Sequence, residues 1–353
     1  MKKQEEKRIE WIDVLKSLAI CCVLLVNAAD NVYTYDLEHM QLLPCHTRIF
    51  AYVLLSIGRI GVPIFMMVTG YLLLDRVFDE KKCVHFWKRN LFGLFLTTEI
   101  WIIIYNIFLI HFDGREIEGL EFFENMIFLK YLNVPHMWYM PMIMGIYVFL
   151  PFVAMVLHRI RPGLLRFPMI LAIAYIFVLP VINVFVQAAG EDPLLTLPSL
   201  NFSGGFYGIM LISGYLIKKD CFKKINGIVL VVAGAASFIC AIAMQLYAYD
   251  QEYVYNLWYD NIFLLITVFC LVELVSRLHK VLLPGIFRNL AKCSFGIYLL
   301  HYIVVIIAKE YLKVESASKR IAVIWCLTFV ISWGVVWLVS RCKAAGRILF
   351  FIR

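Results

Sequence analysis

The amino-acid sequence predicts an all-α polytopic membrane protein with about ten transmembrane helices and both termini in the cytoplasm. The composition, the length of the apolar runs and the one-sided distribution of Lys and Arg all indicate this class. Of the 353 residues, 62% are hydrophobic and 16% are charged. A soluble protein of this length has too little polar surface to cover so apolar a chain. The composition therefore excludes an ordinary soluble enzyme, a disordered chain and a collagen-like fibre.

Ten apolar runs approach or exceed the length of about 20 residues that a helix needs to cross the hydrocarbon core. The second run is long enough to tilt or to project beyond the bilayer. The sixth is short, and its opening residues Ser203, Gly204 and Gly205 favour an irregular backbone. No repeat or linker divides the chain, so residues 1–353 are predicted to form one membrane domain. The predicted spans are residues 11–29, 46–74, 89–111, 137–157, 167–187, 203–217, 227–248, 258–276, 293–310 and 321–340.

Lys and Arg are concentrated in alternate segments between these spans. Of the 33 Lys and Arg residues, 24 lie in those segments and six lie in the opposite set. The positive-inside rule then places both termini in the cytoplasm. The net charge of +8 is a consequence of this topology, and no nucleic-acid-binding motif accompanies it. Membrane lipids are therefore predicted partners and nucleic acid is not. The ten cysteines show neither a disulfide framework nor a CxxC pair, so no metal site is predicted.

Three polar residues of the first span are its candidate functional residues. Lys16 and Asn27 lie about three helical turns apart and so on one face, with Lys16 near the cytoplasmic end. Asp30, three residues after Asn27, is predicted to lie within hydrogen-bond reach of it. Charges inside a span are costly and usually face a cavity or a partner. The alternative is a snorkelling lysine and an amide that bonds a neighbouring helix.

The second span carries Arg59 at mid-depth, where an arginine needs an acceptor. A bound anion or Glu99 on the third span could neutralise it, and an internal ion pair is the structural alternative. Pro63 and the neighbouring glycines can open the backbone and line a cavity.

Histidines open or occupy two later spans. His136 begins the fourth span at the outer side, followed by Trp138 and Tyr139, and His301 lies near mid-depth in the ninth, after Tyr298. An ionisable imidazole at such depth is a functional candidate. The alternatives are an ordinary polar boundary residue at position 136 and a structural hydrogen bond at position 301. The outer loops add acidic and aromatic residues, which suit sugars because sugar CH faces stack on rings while hydroxyls need acceptors.

Basic residues on the cytoplasmic side form a further candidate site. Lys88 and Arg89 follow Trp87 at the start of the third span. Such a cluster could bind a polyphosphate such as that of coenzyme A. Alternatively, it could only orient the protein in the membrane and contact anionic lipids. Neither a GxxxxGKS nor a GxGxxG loop is present, so a nucleotide-hydrolysing pump and a dinucleotide enzyme have no support.

In this order and on this ten-helix layout, the polar blocks resemble the acyltransferase-3 family of integral membrane acyltransferases. The resemblance covers essentially the whole chain. The sequence blocks are most similar to those of the branch that includes the enterobacterial-common-antigen O-acetyltransferase. It implies transfer of an acyl group, usually acetyl, from cytoplasmic acyl-CoA to a hydroxyl of a glycan or lipid-linked saccharide at or beyond the outer face. The blocks are Ile12-Asp13-Val14-Leu15-Lys16 with Asn27, the stretch from Arg59 to Tyr71, His136-Met137-Trp138-Tyr139, and residues 294–301.

The resemblance also implies the location, the substrates and the site residues. It places the protein in a bacterial cytoplasmic membrane, with acetyl-CoA or another acyl-CoA as donor substrate and no permanently bound cofactor. The candidate catalytic residues are Asn27, Asp30, His136 and His301; the candidate donor-binding residues are Lys16, Arg59, Lys88, Arg89 and Tyr298; the candidate acceptor-binding residues are Trp138 and Tyr139. The acceptor glycan, the acyl chain and the oligomeric state, a homo-oligomer included, are left open.

Asn27 departs from the family pattern. The family has a basic residue, ten residues, and then a histidine that is taken to be the general base, whereas this chain has Lys16 and Asn27 at those positions. A carboxamide cannot accept the hydroxyl proton, although it can copy one hydrogen bond of an imidazole. Asn27 is therefore predicted to leave an inactivated form. It is either an engineered replacement, which the retained Asp30 favours, or the natural residue of an altered relative.

Two other classes of function remain. A transporter could use the same buried charges as a substrate pathway, but transporters typically show inverted repeats and none is visible. A non-catalytic partner in glycan assembly is favoured if Asn27 is the natural residue.

Overall fold

A computed structural model describes residues 8–116, 118–129, 134–194 and 205–352. This part of the chain is helical and contains no β-strand, so the prediction of an all-α protein is confirmed. Within it, eight helices are long and apolar enough to cross a membrane, and two further apolar helices are shorter. The protein is therefore a multi-pass membrane protein.

Helices make up most of the described residues. Four of the connecting or inserted turns have other helical forms: π-helical Trp87–Leu91 and Ala174–Val178, and 3₁₀-helical Pro135–Trp138 and Pro162–Leu165. The α-helices are α1 (Glu10–Asp30), α2 (Leu37–Gln41), α3 (Cys45–Arg59), α4 (Gly61–Leu73), α5 (Glu80–Phe86), α6 (Phe92–Asp113), α7 (Gly119–Met126), α8 (Tyr139–Arg159), α9 (Arg166–Ile173), α10 (Leu179–Ala188), α11 (Gly205–Lys218), α12 (Gly227–Asp250), α13 (Ile262–Ser276), α14 (Pro284–Tyr311), α15 (Ala317–Val339) and α16 (Lys343–Phe350).

Helix α1 occupies the centre of the bundle. It packs against α3, α4, α14 and α15. Glycines allow the close approach on one side, because a Cβ added at Gly61 would lie 2.6 Å from the Ala19 carbonyl oxygen. Leu15 and Leu24 of α1 are fully buried. Lys16 and Asn27 of α1 are partly buried, whereas Asp30 at its end is exposed.

The second predicted span is divided into two helices. Helix α3 ends at Arg59 and α4 begins at Gly61, with Ile60 between them. Pro63 has no N–H group to donate to the Arg59 carbonyl, which explains why the helical hydrogen bonding is interrupted here.

Helix α13 is shorter than the span predicted for it, with 15 residues, and the described part of α11 has 14 residues. Residues 203 and 204, where the sixth predicted span begins, lie outside the described residues. The eighth predicted span was placed at 258–276, but the helix begins only at Ile262. Asn261 sets this start, because its Oδ1 accepts hydrogen bonds from the N–H groups of Phe263 (2.8 Å) and Leu264 (3.1 Å).

Residues after Arg341, which the sequence indicates only as a basic segment, form helix α16 and pack into the bundle. The carbonyls of its last turn accept hydrogen bonds from α6: Thr97 Oγ1 donates to Ile348 (3.1 Å) and Trp101 Nε1 donates to Leu349 (2.6 Å). These bonds satisfy carbonyls that a helix end leaves without an intrahelical partner. We call the end of the bundle that holds Arg8, Arg89, Arg288 and Arg347 the basic end.

Candidate active site

The two histidines predicted from the sequence lie side by side in the core. His136 comes from the 3₁₀ turn before α8 and His301 from α14, and their ring centroids are 4.7 Å apart at an angle of 73°. His301 is fully buried and His136 is 5% exposed. The fold thus brings two imidazoles together from residues far apart in the chain.

The hydrogen-bond partners fix the tautomer of each ring. His301 Nδ1 lies 2.6 Å from the Tyr298 carbonyl oxygen, which can only accept, so the proton is on Nδ1 and Nε2 is bare. The Tyr105 hydroxyl donates to the Leu299 carbonyl (2.7 Å) and lies 3.5 Å from His136 Nε2. Since that hydroxyl has one hydrogen, His136 Nε2–H donates to the Tyr105 oxygen and His136 Nδ1 is bare.

Both bare nitrogens are buried and without a hydrogen-bond partner among the described residues. A buried acceptor without a partner costs free energy, about 1–3 kcal/mol each. A native protein keeps such groups where a substrate or an ordered water completes them. The pair is therefore a candidate for accepting a proton from a bound molecule.

Two tyrosines of α14 frame the pair. The Tyr298 hydroxyl donates to the His136 carbonyl oxygen at 2.6 Å, and the Tyr302 ring lies nearly parallel to the His136 ring at 5.0 Å. Tyr298, His301 and Tyr302 share one face of α14 because they are spaced three and four residues apart. Tyr302 also interacts with the side chain of Asn31, at the end of α1.

Asn27 does not make the contact with Asp30 that the helix spacing predicts. The Asn27 Nδ2 donates to the Val23 backbone carbonyl of the same helix (2.8 Å), and the Asn27 backbone carbonyl accepts a hydrogen bond from Asn31 Nδ2 (2.8 Å). Asp30 instead faces Arg59, 4.0 Å from the guanidinium. A carbonyl one turn earlier is the nearest acceptor for an asparagine inside a helix, which explains the difference.

Arg59 forms an ion pair with Asp30 at 4.0 Å, too long for a hydrogen bond, and the described residues show no ion pair between Arg59 and Glu99. Both carboxylate oxygens of the buried Glu99 are without a partner among the described residues. The Arg59 guanidinium lies over the Trp258 ring at 4.5 Å and near the Tyr259 ring at 5.7 Å. Arg59 therefore belongs to the same end of the bundle as Asp30.

Four aromatic residues form a cluster beside Arg59, which we call the Trp138 cluster. The Trp138 ring centroid lies 6.0 Å from Tyr207, 5.9 Å from Trp258 and 5.7 Å from Tyr259. The cluster thus presents flat apolar faces next to a guanidinium and a carboxylate.

A cavity of about 280 Å³, which we call the Lys16 cavity, is lined in part by Tyr298. Neither histidine lines it, but the Tyr298 hydroxyl donates to the His136 carbonyl. Tyr139 lines it too, in edge-to-face contact with Tyr298 at 5.6 Å. The lining residues are Lys16, Val23, Val62, Phe65, Thr69, Leu94, Tyr139, Ile143, Tyr147, Ser294, Phe295, Tyr298 and Phe351.

A wider cavity of about 590 Å³ opens below Lys16 at the basic end. Its walls hold Arg8, Lys16, Arg76 and Lys218, and also two carboxylates. Asp13 is bound by Arg8 through two hydrogen bonds of 2.7 and 2.8 Å, and Asp75 forms an ion pair with Lys219. Arg8 is therefore neutralised by Asp13 within the cavity.

A third cavity, of about 450 Å³, lies between α6 and α16 at the basic end. Arg89 and Arg347 line it, and Phe351 forms a wall that it shares with the Lys16 cavity. We call it the Arg89 cavity. Lys88, the neighbour of Arg89, is exposed and does not line any of these three cavities.

The predicted site residues thus separate into three places. His136, His301 and Tyr298 form the centre; Lys16 and Tyr139 line the Lys16 cavity; Asp30, Arg59 and Trp138 lie at the end away from the basic residues. The Asn27 amide is hydrogen-bonded within its own helix. Sequence reasoning missed Tyr207, Trp258 and Tyr259 as individuals, although the Trp258-Tyr259 pair at a span boundary was a usable signal. Nothing in the sequence pointed to Phe351.

A model of the acyltransferase-3 family, described as an acyltransferase domain, matches residues 9–341 of the chain. The match includes the residues of the site described above except Arg8, Arg347 and Phe351. No curated protein sequence and no solved structure matches the chain.

Proposed function

Because this chain belongs to the acyltransferase-3 family, we propose that it is a membrane O-acyltransferase of the bacterial cytoplasmic membrane. It takes an acyl group, acetyl in the first place, from cytoplasmic acyl-CoA and transfers it to a hydroxyl of a glycan or lipid-linked saccharide. Family membership makes the protein a multi-pass membrane acyltransferase; the donor, the acceptor, the location and the branch near the enterobacterial-common-antigen enzyme belong to the proposal.

The observation that carries the proposal is the bare, buried Nε2 of His301. An acyl transfer to a hydroxyl needs a group that removes the hydroxyl proton as the oxygen attacks. The Tyr298 carbonyl holds the His301 proton on Nδ1, so Nε2 is the nitrogen free to accept one. Such a hydrogen bond also stabilises the imidazolium that forms, as a fixed acceptor does in other acyl-transfer sites.

The proposed acyl transfer consists of addition of the acceptor oxygen to the thioester and loss of the thiolate. The acceptor oxygen bonds to the thioester carbonyl carbon while its proton moves to His301 Nε2. The carbon–sulfur bond breaks as the carbonyl reforms, and the departing thiolate takes the proton from the imidazolium. The products are the acylated hydroxyl and free coenzyme A, and His301 returns to its starting tautomer.

The two flanking regions fit the two substrates. Lys16 supplies a positive charge in a cavity otherwise lined mainly by apolar and aromatic side chains, which suits an acyl thioester arriving from the basic end. The Trp138 cluster, with Arg59 and Asp30 beside it, offers ring faces and hydrogen-bonding groups for a sugar. Arg59 therefore serves the acceptor in this proposal, and not the donor.

Asn27 weakens the enzyme in this proposal but does not remove every base. Its amide cannot take a proton, so transfer in this chain depends on His301, with His136 beside it. A histidine at position 27 is expected to raise the rate by about 10²–10⁴, the usual contribution of a general base.

The first test measures transfer of radiolabelled acetyl from acetyl-CoA to membrane glycolipid by inverted vesicles that contain the protein. His301→Gln keeps a polar side chain but lacks a basic nitrogen, so we expect labelling to fall to background while acetyl-CoA binding is retained. His111→Gln is the matched control, because His111 also contacts a carbonyl of its own helix, Ile107 at 2.8 Å, but is exposed. Full labelling by folded His301→Gln protein would refute the role of His301.

The second test is Asn27→His in the same assay. A gain of about 10² or more, lost again on removal of His301, supports a shared proton path. A gain that survives His301→Gln assigns the base to position 27 alone, and the chain with Asn27 is then the inactivated form. No gain in either background means that position 27 is not a base position in this protein.

A further inference from the structure

A groove of about 590 Å³ lies between α9 and α13, and we call it the α9 groove. Its lining residues on α9 are spaced three and four positions apart and so share one face of the helix. They are Arg166, Met169, Ile170 and Ile173. Ile170 is 69% exposed, so the groove is open to the outside of the bundle. In a protein that crosses the membrane, that outside is lipid.

The opposite wall of the α9 groove has the same pattern. Its lining residues on α13 are Ile262, Leu265, Ile266 and Phe269. Each row covers seven positions, or about 10 Å along its helix. Helix α11 adds Leu216 and Ser213, whose hydroxyl donates to the Ile209 carbonyl of the same helix at 2.8 Å. The walls therefore suit a hydrocarbon chain over a length that fits within one leaflet, about half of a core of about 30 Å.

The charged part of the lining lies at the basic end. Arg166 begins α9, and Cys221, which also lines the groove, follows α11. The last residue of α11, Lys218, lines a cavity together with Arg8. Among the described residues, Arg166 has no ion-pair partner and no carboxylate lines the groove. A guanidinium without a carboxylate, at one end of an apolar groove, favours an anionic headgroup.

The turn at this end of the α9 groove is held in place by α13. The Arg277 guanidinium donates to the carbonyls of Ile225 (2.7 Å) and Phe222 (3.1 Å). It also forms an ion pair with Glu273 of its own helix at 2.7 Å. The Phe222 ring, which lines the groove, packs edge to face on Phe269 at 4.8 Å. The groove is therefore already formed before a ligand enters it.

We propose that the α9 groove is a binding site for an anionic phospholipid of the leaflet at the basic end. One acyl chain lies between the apolar rows of α9 and α13, and the phosphate of the headgroup binds Arg166. A zwitterionic lipid binds less tightly, because its own cation competes with the guanidinium for that phosphate. Among the described residues, none lines both this groove and the Lys16 cavity. The lipid is therefore a ligand held apart from the candidate active site.

The test follows alkylation of Cys221, which is exposed and lines the groove. Purified protein in a neutral detergent is treated with N-ethylmaleimide, with and without dioleoylphosphatidylglycerol, and the modified peptides are quantified by mass spectrometry. We expect this anionic lipid to slow the alkylation of Cys221 in a saturable manner, and dioleoylphosphatidylcholine at equal concentration to have little effect. Cys342 is the internal control, because it is exposed near the same end but does not line the groove.

Two variants separate the headgroup contact from the chain contact. We expect Arg166→Gln to raise the concentration of dioleoylphosphatidylglycerol at half-protection about tenfold, as the loss of a charge-assisted hydrogen bond predicts. Each variant is compared with itself without lipid, because Arg166 acts electrostatically on the Cys221 thiol. Arg161→Gln is the matched control, since Arg161 is exposed and does not line the groove.

Ile266→Trp fills the α9 groove from the α13 side and should abolish the protection of Cys221 by either lipid. Val231→Trp is its control, because Val231 of α12 is 56% exposed and lies outside the groove.

Three results would overturn the site. They are equal protection by the two lipids or none by the anionic one, an unchanged half-protection concentration in Arg166→Gln, and protection that survives in folded Ile266→Trp protein. Acyl transfer plays no part in these measurements, so their outcome is independent of the proposed function.

Discussion

At the scale of single residues, the centre of the site depends on contacts that no sequence pattern shows. The periodicity of α1 correctly placed Lys16 and Asn27 on that helix, but the partners of Asp30 and Arg59 were set by the packing of α1 against α3. His136 and His301 were each visible as polar residues in apolar runs. Their pairing was not, because the residues are brought together by two separate elements, the turn before α8 and helix α14. The sequence therefore predicts each histidine as a candidate residue, but it predicts neither their contact nor their hydrogen-bond partners, which determine the tautomers.

The contact between Gly93 and Phe351 permits a residue-level prediction. Gly93→Ala forces the ring to move, since the new Cβ would lie 2.6 Å from Cε2. We expect unfolding in mixed detergent micelles to become easier by about 1–3 kcal/mol, as for other overpacked sites. In the Phe351→Ala background the same change should have almost no cost.

Gly145→Ala is the control for this cycle, because a Cβ there meets nothing within 4 Å. An equal loss of stability from Gly93→Ala in both backgrounds would show that the ring is not what fills this space.

At the scale of elements, the sequence predicts where helices run better than where they stop. Apolar length located α1, α12 and α15 closely, since nothing interrupts them. It began the eighth span four residues too early, because Trp258 and Tyr259 are apolar enough to pass for the start of a helix. Side chains satisfy backbone groups on both sides of this pair: the N–H of Leu257 donates to Gln245 Oε1 at 3.3 Å, and Asn261 caps α13. Irregular backbone is tolerated at such depth when protein surrounds it.

The crossing of α4 and α11 gives a prediction for this scale. A Cβ added at Gly70 would run into the Leu211 carbonyl, and one added at Gly214 would run into the Met67 carbonyl. Neither obstacle is a side chain that can rotate. We expect Gly214→Ala to destabilise the protein by more than about 1–3 kcal/mol, the usual cost of overpacking, measured by the detergent concentration at half-unfolding.

The comparison for that measurement is Gly334→Ala within α15, where a Cβ meets no neighbour within 4 Å. If Gly214→Ala unfolds at the same detergent concentration as Gly334→Ala, the two helices are not held at this glycine contact.

At the scale of the whole molecule, the orientation in the membrane stays a prediction from the distribution of charge. The orientation can be measured by cysteine labelling, because exposed cysteines lie towards both ends of the bundle. Cys45 begins α3, and Cys221 and Cys342 follow α11 and α15 at the basic end; all three are exposed. In intact cells, a maleimide that cannot cross membranes should modify Cys45 alone among the three.

Cys221 and Cys342 should react only after the membrane is opened, and Cys45→Ser should abolish the labelling of intact cells. Labelling of Cys221 or Cys342 in sealed cells, with Cys45 protected, would reverse the orientation and with it the side from which the donor arrives.

The short helix α13 has a consequence for the depth of the Trp138 cluster. At 1.5 Å per residue, its 15 residues span about 22 Å, against about 30 Å for the hydrocarbon core. It ends next to Arg277, so the difference in length falls at its start, just after Trp258 and Tyr259 of the cluster. We therefore expect these rings to lie below the level of the lipid headgroups. We expect an acceptor carried on a lipid tail to reach them by sliding sideways within its leaflet, a shorter journey than descent from the water.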